Sequence, residues 1–179
     1  MALSHSKRYA NSARSAILVA YADDATASFA PSAIPLSVMR ANLNSQLRPM
    51  PSQSRTVRAL VVDDHMGIAD GLSQLLGLFD IDARAAYSGH DAIDKFSSWK
   101  PDVIFMDIDM PGLDGYETTR TIRASPEGDA VHIIALTARS SPEDRKRVVQ
   151  SGFDAHLIKP APIATILSII DLCKVRTPD

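Results

Sequence analysis

The sequence predicts an α/β fold, a doubly wound parallel sheet with helices packed on both faces. Three observations carry this prediction. From residue 58 onward, short apolar runs alternate with segments of helical periodicity. The runs are apolar at successive positions, as strands buried on both faces are. Four of the five runs end in a group that can do chemistry: Asp63-Asp64, Asp107, Thr137 and Lys159. In open parallel sheets, ligand sites form outside the carboxyl ends of the strands.

The elements follow in order. "ALVV" (59–62) is the first strand and runs into the acid pair. "MGIADGLSQLLGLF" (66–79) spaces Ile68, Leu72, Leu75, Leu76 and Phe79 as the apolar face of a helix. "ARAAYS" (83–88) is a weaker strand, and "GHDAIDKFSSW" (89–99) is a helix with Ala92, Ile93 and Phe96 on one face. "VIFM" (103–106) is the third strand, and a helix spans about 116–123. "HIIAL" (132–136) leads to Thr137. "SPEDRKRVVQSG" (141–152) is a helix with Ser141 as its cap, Pro142 at its first position and Gly152 past its end. "AHLI" (155–158) leads to Lys159-Pro160, and "PIATILSIIDLCKV" (162–175) is the last helix. Alternating strands and helices of this kind join through right-handed crossovers into a parallel sheet.

The bulk composition sets limits. The chain has 179 residues and a net charge of −2, so no global field draws it to nucleic acid or membrane. The single cysteine, Cys173, excludes an internal disulfide and a cysteine metal cage, and fits a cytoplasmic address. No apolar run approaches the ~20 residues needed to span a bilayer.

Charge is unevenly spread. Residues 1–55 hold six Lys/Arg against two acids, whereas the remainder holds 13 basic residues against 19 acids. Residues 1–55 are rich in Ala and Ser, are interrupted by prolines, and read as a disordered, low-complexity extension. Their one apolar run, "AILVAYA" (16–22), is short for a signal peptide, despite the cleavage-like Ala20-Tyr21-Ala22. Met50 offers an alternative start of translation. Residues 56–176 read as the folded domain.

The strand-end residues define a chemistry. Three carboxylates in one crevice repel each other unless a cation is present. Oxygen ligands suit a hard ion, Mg²⁺ in a cell. Lys159 supplies a point charge and Thr137 a hydroxyl, together able to hold phosphoryl oxygens. A carboxylate beside Mg²⁺ can attack phosphorus and form an aspartyl phosphate.

At these residues the chain resembles the receiver domains of two-component response regulators. The matching segments are "VVDDH" (61–65), "FMDIDMPGLDGYE" (105–117), "IIALTA" (133–138) and "LIKPA" (157–161), and the likeness covers about 58–175. It implies a flavodoxin-like (βα)5 fold with sheet order 2-1-3-4-5. It implies that Asp107 accepts phosphate from a histidine kinase or a histidine phosphotransfer protein. Asp64 would bind Mg²⁺ directly, Asp63 largely through water, Asp107 would belong to the same metal site, and the backbone carbonyl of Asp109 would complete it. Thr137 and Lys159 would bind the phosphoryl oxygens, with a cis peptide before Pro160 helping to aim Lys159. The domain would be a phosphoacceptor rather than an enzyme in its own right, assisting its own phosphotransfer and dephosphorylation. Phosphorylation would switch a surface toward a downstream target protein.

Some positions depart from the family pattern or vary within it. His156 stands where receivers usually carry the Tyr or Phe that swings with the Thr, here Thr137, on activation. Asp109 and Arg139 occupy the two positions that tune phosphate lifetime. Only 20 residues follow Lys159, so no C-terminal DNA-binding domain is expected. Among the other histidines, His65 reads as a solvated loop residue at the crevice rim, and His5, His90 and His132 are too scattered for a metal site.

Two rival readings fit the sequence less well. "VIFMDIDM" resembles the Asp-x-Asp signature of haloacid dehalogenase-type phosphatases. Those enzymes place an acid pair after the lysine, whereas here Asp63-Asp64 precedes the nucleophile and only Asp171 and Asp179 follow Lys159. The threonine expected after the second Asp is also missing, since Met110 and Pro111 stand there. A receiver-like binding module that no longer takes phosphate conflicts with the complete set of reactive residues.

Overall fold

A computed structural model of the protein describes residues 55–138 and 141–174. The expectations for residues 1–54 and for Arg139 lie outside the described residues. Five strands, β1 (Arg58–Val62), β2 (Asp82–Ala86), β3 (Val103–Asp107), β4 (His132–Thr137) and β5 (Ala155–Ile158), alternate with α1 (Met66–Gly77), α2 (Gly89–Trp99), α3 (Gly115–Ala124), α4 (Pro142–Gln150) and α5 (Ile163–Lys174). All strand pairs are parallel. The order is β2-β1-β3-β4-β5, the flavodoxin-like arrangement.

The unbroken apolar runs are explained by two separate cores. Side chains of a strand alternate between faces. Ala59 and Val61 of β1 face a cluster completed by Ala69 and Leu76 of α1 and Ile166, Ile169 and Ile170 of α5. Leu60 and Val62 face the opposite cluster, with Phe96 and Trp99 of α2, Tyr116 and Ile122 of α3 and Val148 of α4. Every second residue of a central strand therefore meets a different layer of helices.

Local signals set most boundaries. Ser88 caps α2 by accepting from the Asp91 N–H, and Asp114 caps α3 by accepting from the Glu117 N–H. Ser141 and Asp144 form a reciprocal capping box with Pro142 in the first turn, and Gly152 follows the helix with φ 92°. β2 stops at Ala86 rather than at residue 88, because Ser88 is committed to capping α2. β2 is an edge strand carrying two charged residues, Asp82 and Arg84, and Arg84 lies over the Trp99 ring at 4.4 Å.

The face of α1 agrees with the expected one at Leu72 and Leu76 and departs from it at Ile68 and Phe79. Only Ala69 and Leu76 of this helix are buried, while Ile68 is 49% and Phe79 46% exposed. The small Ala69 sits against the sheet and turns the contact line one residue round the helix. Phe79 lies beyond the helix, which ends at Gly77.

A buried polar cluster, unmarked in the sequence, ties α3 to the starts of β4 and β5. Asp154, 1% exposed, holds Arg123 Nη2 at 2.6 Å and accepts the Ile133 N–H at 2.7 Å. Arg123 also donates to the carbonyls of Gly152, Gly128 and Val131.

Two stability predictions follow from these contacts. Asp154→Ala removes the countercharge of a buried guanidinium, and urea unfolding followed by the Trp99 fluorescence should show a loss of about 3–5 kcal/mol. A loss below about 1 kcal/mol would mean that the cluster contributes little. Glycines at two helix positions should respond oppositely to alanine. A Cβ at Gly115 would lie 2.3 Å from the Asp107 carbonyl oxygen and 2.8 Å from Ile108 Cα, whereas one at Gly71 would meet nothing within 4 Å. Gly115→Ala should destabilise by about 1–3 kcal/mol. Gly71→Ala should stabilise by about 0.5–1 kcal/mol. Equal changes in urea midpoint would contradict this reading.

Candidate functional site

Strand register assembles the site. Val62 of β1 pairs with Met106 of β3, so the next residues, Asp63 and Asp107, emerge side by side. Asp107 pairs with Leu136 of β4, which sets Thr137 one step further along. Thr137 pairs with Ile158 of β5, and the Lys159 N–H then donates to the Thr137 carbonyl at 2.8 Å. The Asp63 N–H is held by the Ala86 carbonyl at 3.1 Å, and the Gly115 N–H by that of Ile108 at 3.1 Å. Gly115 thus lets the start of α3 lie directly on the backbone after Asp107.

The side chains converge. Lys159 Nζ lies 2.7 Å from Asp63 Oδ2 and 3.0 Å from Asp107 Oδ2, so one ammonium bridges two carboxylates. Asp63 is fully buried, and Asp107 and Thr137 are nearly so. The peptide between Lys159 and Pro160 is cis. Burial alone would push the Lys159 ammonium down. Hydrogen bonds to Asp63 and Asp107 and the charges of both more than offset this, so its pKa is raised. Lys159 is therefore a fixed positive charge at neutral pH.

Asp64 is half-buried on the same edge. Its Oδ1 is shielded from solvent and makes no hydrogen bond. Such an orphaned carboxylate oxygen is expensive unless a cation or water satisfies it. Together, Asp63, Asp64 and Asp107 carry more negative charge than Lys159 balances. The donors are hard oxygens, so the residues fit a dication such as Mg²⁺.

Two further predicted residues, Asp109 by its backbone and His156, flank this cluster. The Asp109 carboxylate is exposed, and its backbone N–H reaches Asp107 Oδ1 at 3.4 Å. His156, paired with Ala135, is half-buried on β5. Burial lowers its pKa, and the positive charge of Arg145 lowers it further. One residue is closer to the acids than the sequence indicated. His65 Nδ1 lies 3.4 Å from Asp63 Oδ1 and 3.3 Å from Asp64 Oδ1, although 74% of its side chain is exposed. Its place directly after the acid pair was the available signal.

Comparison with known proteins agrees with this geometry. The family model described as the response regulator receiver domain matches residues 59–171. A response regulator MprA of Mycolicibacterium vanbaalenii is 36% identical over 124 residues, covering 69% of this chain and 53% of the relative. The chain thus spans about half the length of the curated relatives it matches. Among solved structures, the receiver domain of the sensor histidine kinase PA1611 from Pseudomonas aeruginosa, with a magnesium ion coordinated in its active-site cleft, is similar with a TM-score of 0.62 and 31% identity. That match covers 67% of this chain and 98% of the other. The Vibrio cholerae chemotaxis protein CheY4 matches with a TM-score of 0.62 and 28% identity, over 65% of this chain and 97% of the other. A strand-end acid cluster bridged by a lysine, on a 2-1-3-4-5 sheet matched over this length, places the chain in the family of response regulator receiver domains.

Proposed function

We propose that this receiver domain accepts a phosphoryl group on Asp107 from the phosphohistidine of a kinase or phosphotransfer protein, and that phosphorylation switches its surface toward a target protein. The observation that carries the reading is the Lys159 bridge between Asp63 and Asp107. It puts a fixed cation beside a nucleophilic carboxylate at the carboxyl edge of the sheet.

The residues divide the work by chemistry. Asp107 attacks phosphorus. Its O–P bond forms as the P–N bond to the donor histidine breaks, and that nitrogen leaves as imidazole. Lys159 and the Thr137 hydroxyl receive the phosphoryl oxygens. Asp64, Asp107, the Asp109 carbonyl and, through water, Asp63 would hold Mg²⁺, which offsets the charge on the transferred group. Attack of water on the aspartyl phosphate later returns phosphate, so the domain assists its own reset. The catalytic work is positioning and charge.

The surface beside the acids suits a helical partner. Met66, Ile68, Leu75, Leu78 and Phe79 are exposed along and just past α1, which begins directly after the acid pair. A helix docked on this strip would bring its phosphohistidine toward Asp107. Among the described residues, no helix is long and apolar enough to cross a membrane. We place the reaction in the cytoplasm, where a lone buried thiol, Cys173, stays reduced.

His156 and Thr137 form the proposed switch. A neutral imidazole can turn inward and donate its ring N–H to a backbone carbonyl when Thr137 turns to the phosphate. Outward, solvated and protonated, it would disfavour that state, so acid should oppose activation.

Two measurements test this function. Intact mass after treatment with acetyl phosphate and Mg²⁺ should show one added phosphoryl group, lost with EDTA and in Asp107→Asn. Full labelling of that variant would refute the assignment. In NMR titrations, the His156 ring should protonate below the ordinary imidazole range near ~6.5. Arg145→Ala should raise its midpoint, and beryllofluoride should shift its resonances. An unchanged ring in both states would remove His156 from the switch.

A further inference from the structure

His65 brings the only nitrogen donor to the acid pair among the described residues within reach of both carboxylates. It is the N-cap residue of α1, yet its side chain makes no capping hydrogen bond. The imidazole therefore does not serve the helix end. The His65 backbone N–H is fixed on Asp63 Oδ1 at 2.9 Å, which turns the ring back over the acids. Nδ1 then stands 3.4 Å from Asp63 Oδ1 and 3.3 Å from Asp64 Oδ1. One donor atom from each of these three residues lies within 4.8 Å of the others.

The two separations from Nδ1 suit a single ion. Metal–ligand bonds of about 2.0–2.2 Å in tetrahedral or octahedral arrangement put neighbouring donors about 3.0–3.5 Å apart. The partners are also divided in a useful way. Lys159 takes Asp63 Oδ2, so Asp63 Oδ1 is the oxygen on the His65 side. Asp64 Oδ1, the other oxygen facing Nδ1, is the buried atom with no hydrogen bond. The His65 side chain itself is 74% exposed.

Imidazole nitrogen adds little for Mg²⁺, which favours oxygen, but favours Zn²⁺, Ni²⁺ and Co²⁺. We propose that His65 makes the acid pair a mixed nitrogen–oxygen site that takes a late first-row divalent ion through Nδ1, in competition with Mg²⁺. This rests on the receiver reading of the same site. It makes His65 the residue that sets cation preference here, and it makes availability of such ions an input to the signalling state.

The test uses the full chain stripped of metal, with the metal ions alone as probes. In ¹⁵N-histidine NMR, stoichiometric Zn²⁺ should move the His65 Nδ1 resonance strongly, whereas Mg²⁺ should not. By calorimetry, His65→Ala should weaken Zn²⁺ and Ni²⁺ binding at least about tenfold, the scale on which metal sites respond to a lost partner. Mg²⁺ binding should change far less. A His65 resonance unmoved by Zn²⁺ would overturn the proposal. So would parallel losses for Zn²⁺ and Mg²⁺ in His65→Ala, since the imidazole would then only orient the acids. In either case, retained Mg²⁺ binding and Asp107 labelling in the unmodified chain would leave the receiver reading standing. If the unmodified chain neither binds Mg²⁺ nor takes phosphate, the receiver reading and this proposal fall together.

Discussion

The Lys159 ammonium, held between the buried Asp63 and Asp107 carboxylates, is the constraint on which the rest of the structure depends. Removing three charges from water is unfavourable, and a buried ion pair rarely repays that cost in stability. The fold must therefore impose this geometry. It does so through strand register, which fixes Asp63 beside Asp107 and sends Lys159 out one strand beyond Thr137. The two apolar layers on either face of the sheet supply the stability that the site consumes. The carboxyl edge is thus a place where stability is exchanged for reactivity.

On the proposed function, the same geometry would let the site take an anion although acids dominate it. Lys159 already neutralises part of the charge, and the Thr137 hydroxyl lies on the adjacent strand. In the proposed reaction, an incoming phosphoryl group would meet a fixed cation, Lys159, and a hydroxyl, Thr137. The carboxylates that Lys159 bridges, with Asp64, are those able to hold a dication. Neither half would suffice, because bare acids repel phosphate and a bare lysine offers no nucleophile.

Much of this was legible in the sequence because its causes are local. A strand ending in an acid is written in consecutive residues, and so are the Ser141-Pro142 start and the Gly152 stop of α4. The core face of α1 was legible only in part: Leu72 and Leu76 pack on the core as expected, but Ile68 and Phe79 stay exposed, and the buried Ala69 is too small to mark a face. Arg123 and Asp154 were not legible at all. They are 31 residues apart and each resembles an ordinary surface charge until the fold buries both. His65 was visible as a neighbour of the acids. The approach of its ring depends on the backbone turn that ties its N–H to Asp63.

The central claim is that phosphoryl transfer ends on Asp107, and borohydride trapping tests it most directly. Reduction of an aspartyl phosphate converts that residue to homoserine, which peptide mass spectrometry locates. After phosphorylation by acetyl phosphate in Mg²⁺, the account predicts homoserine at position 107 alone. Homoserine at 63 or 64, or a phosphoryl group surviving on a histidine, would contradict it.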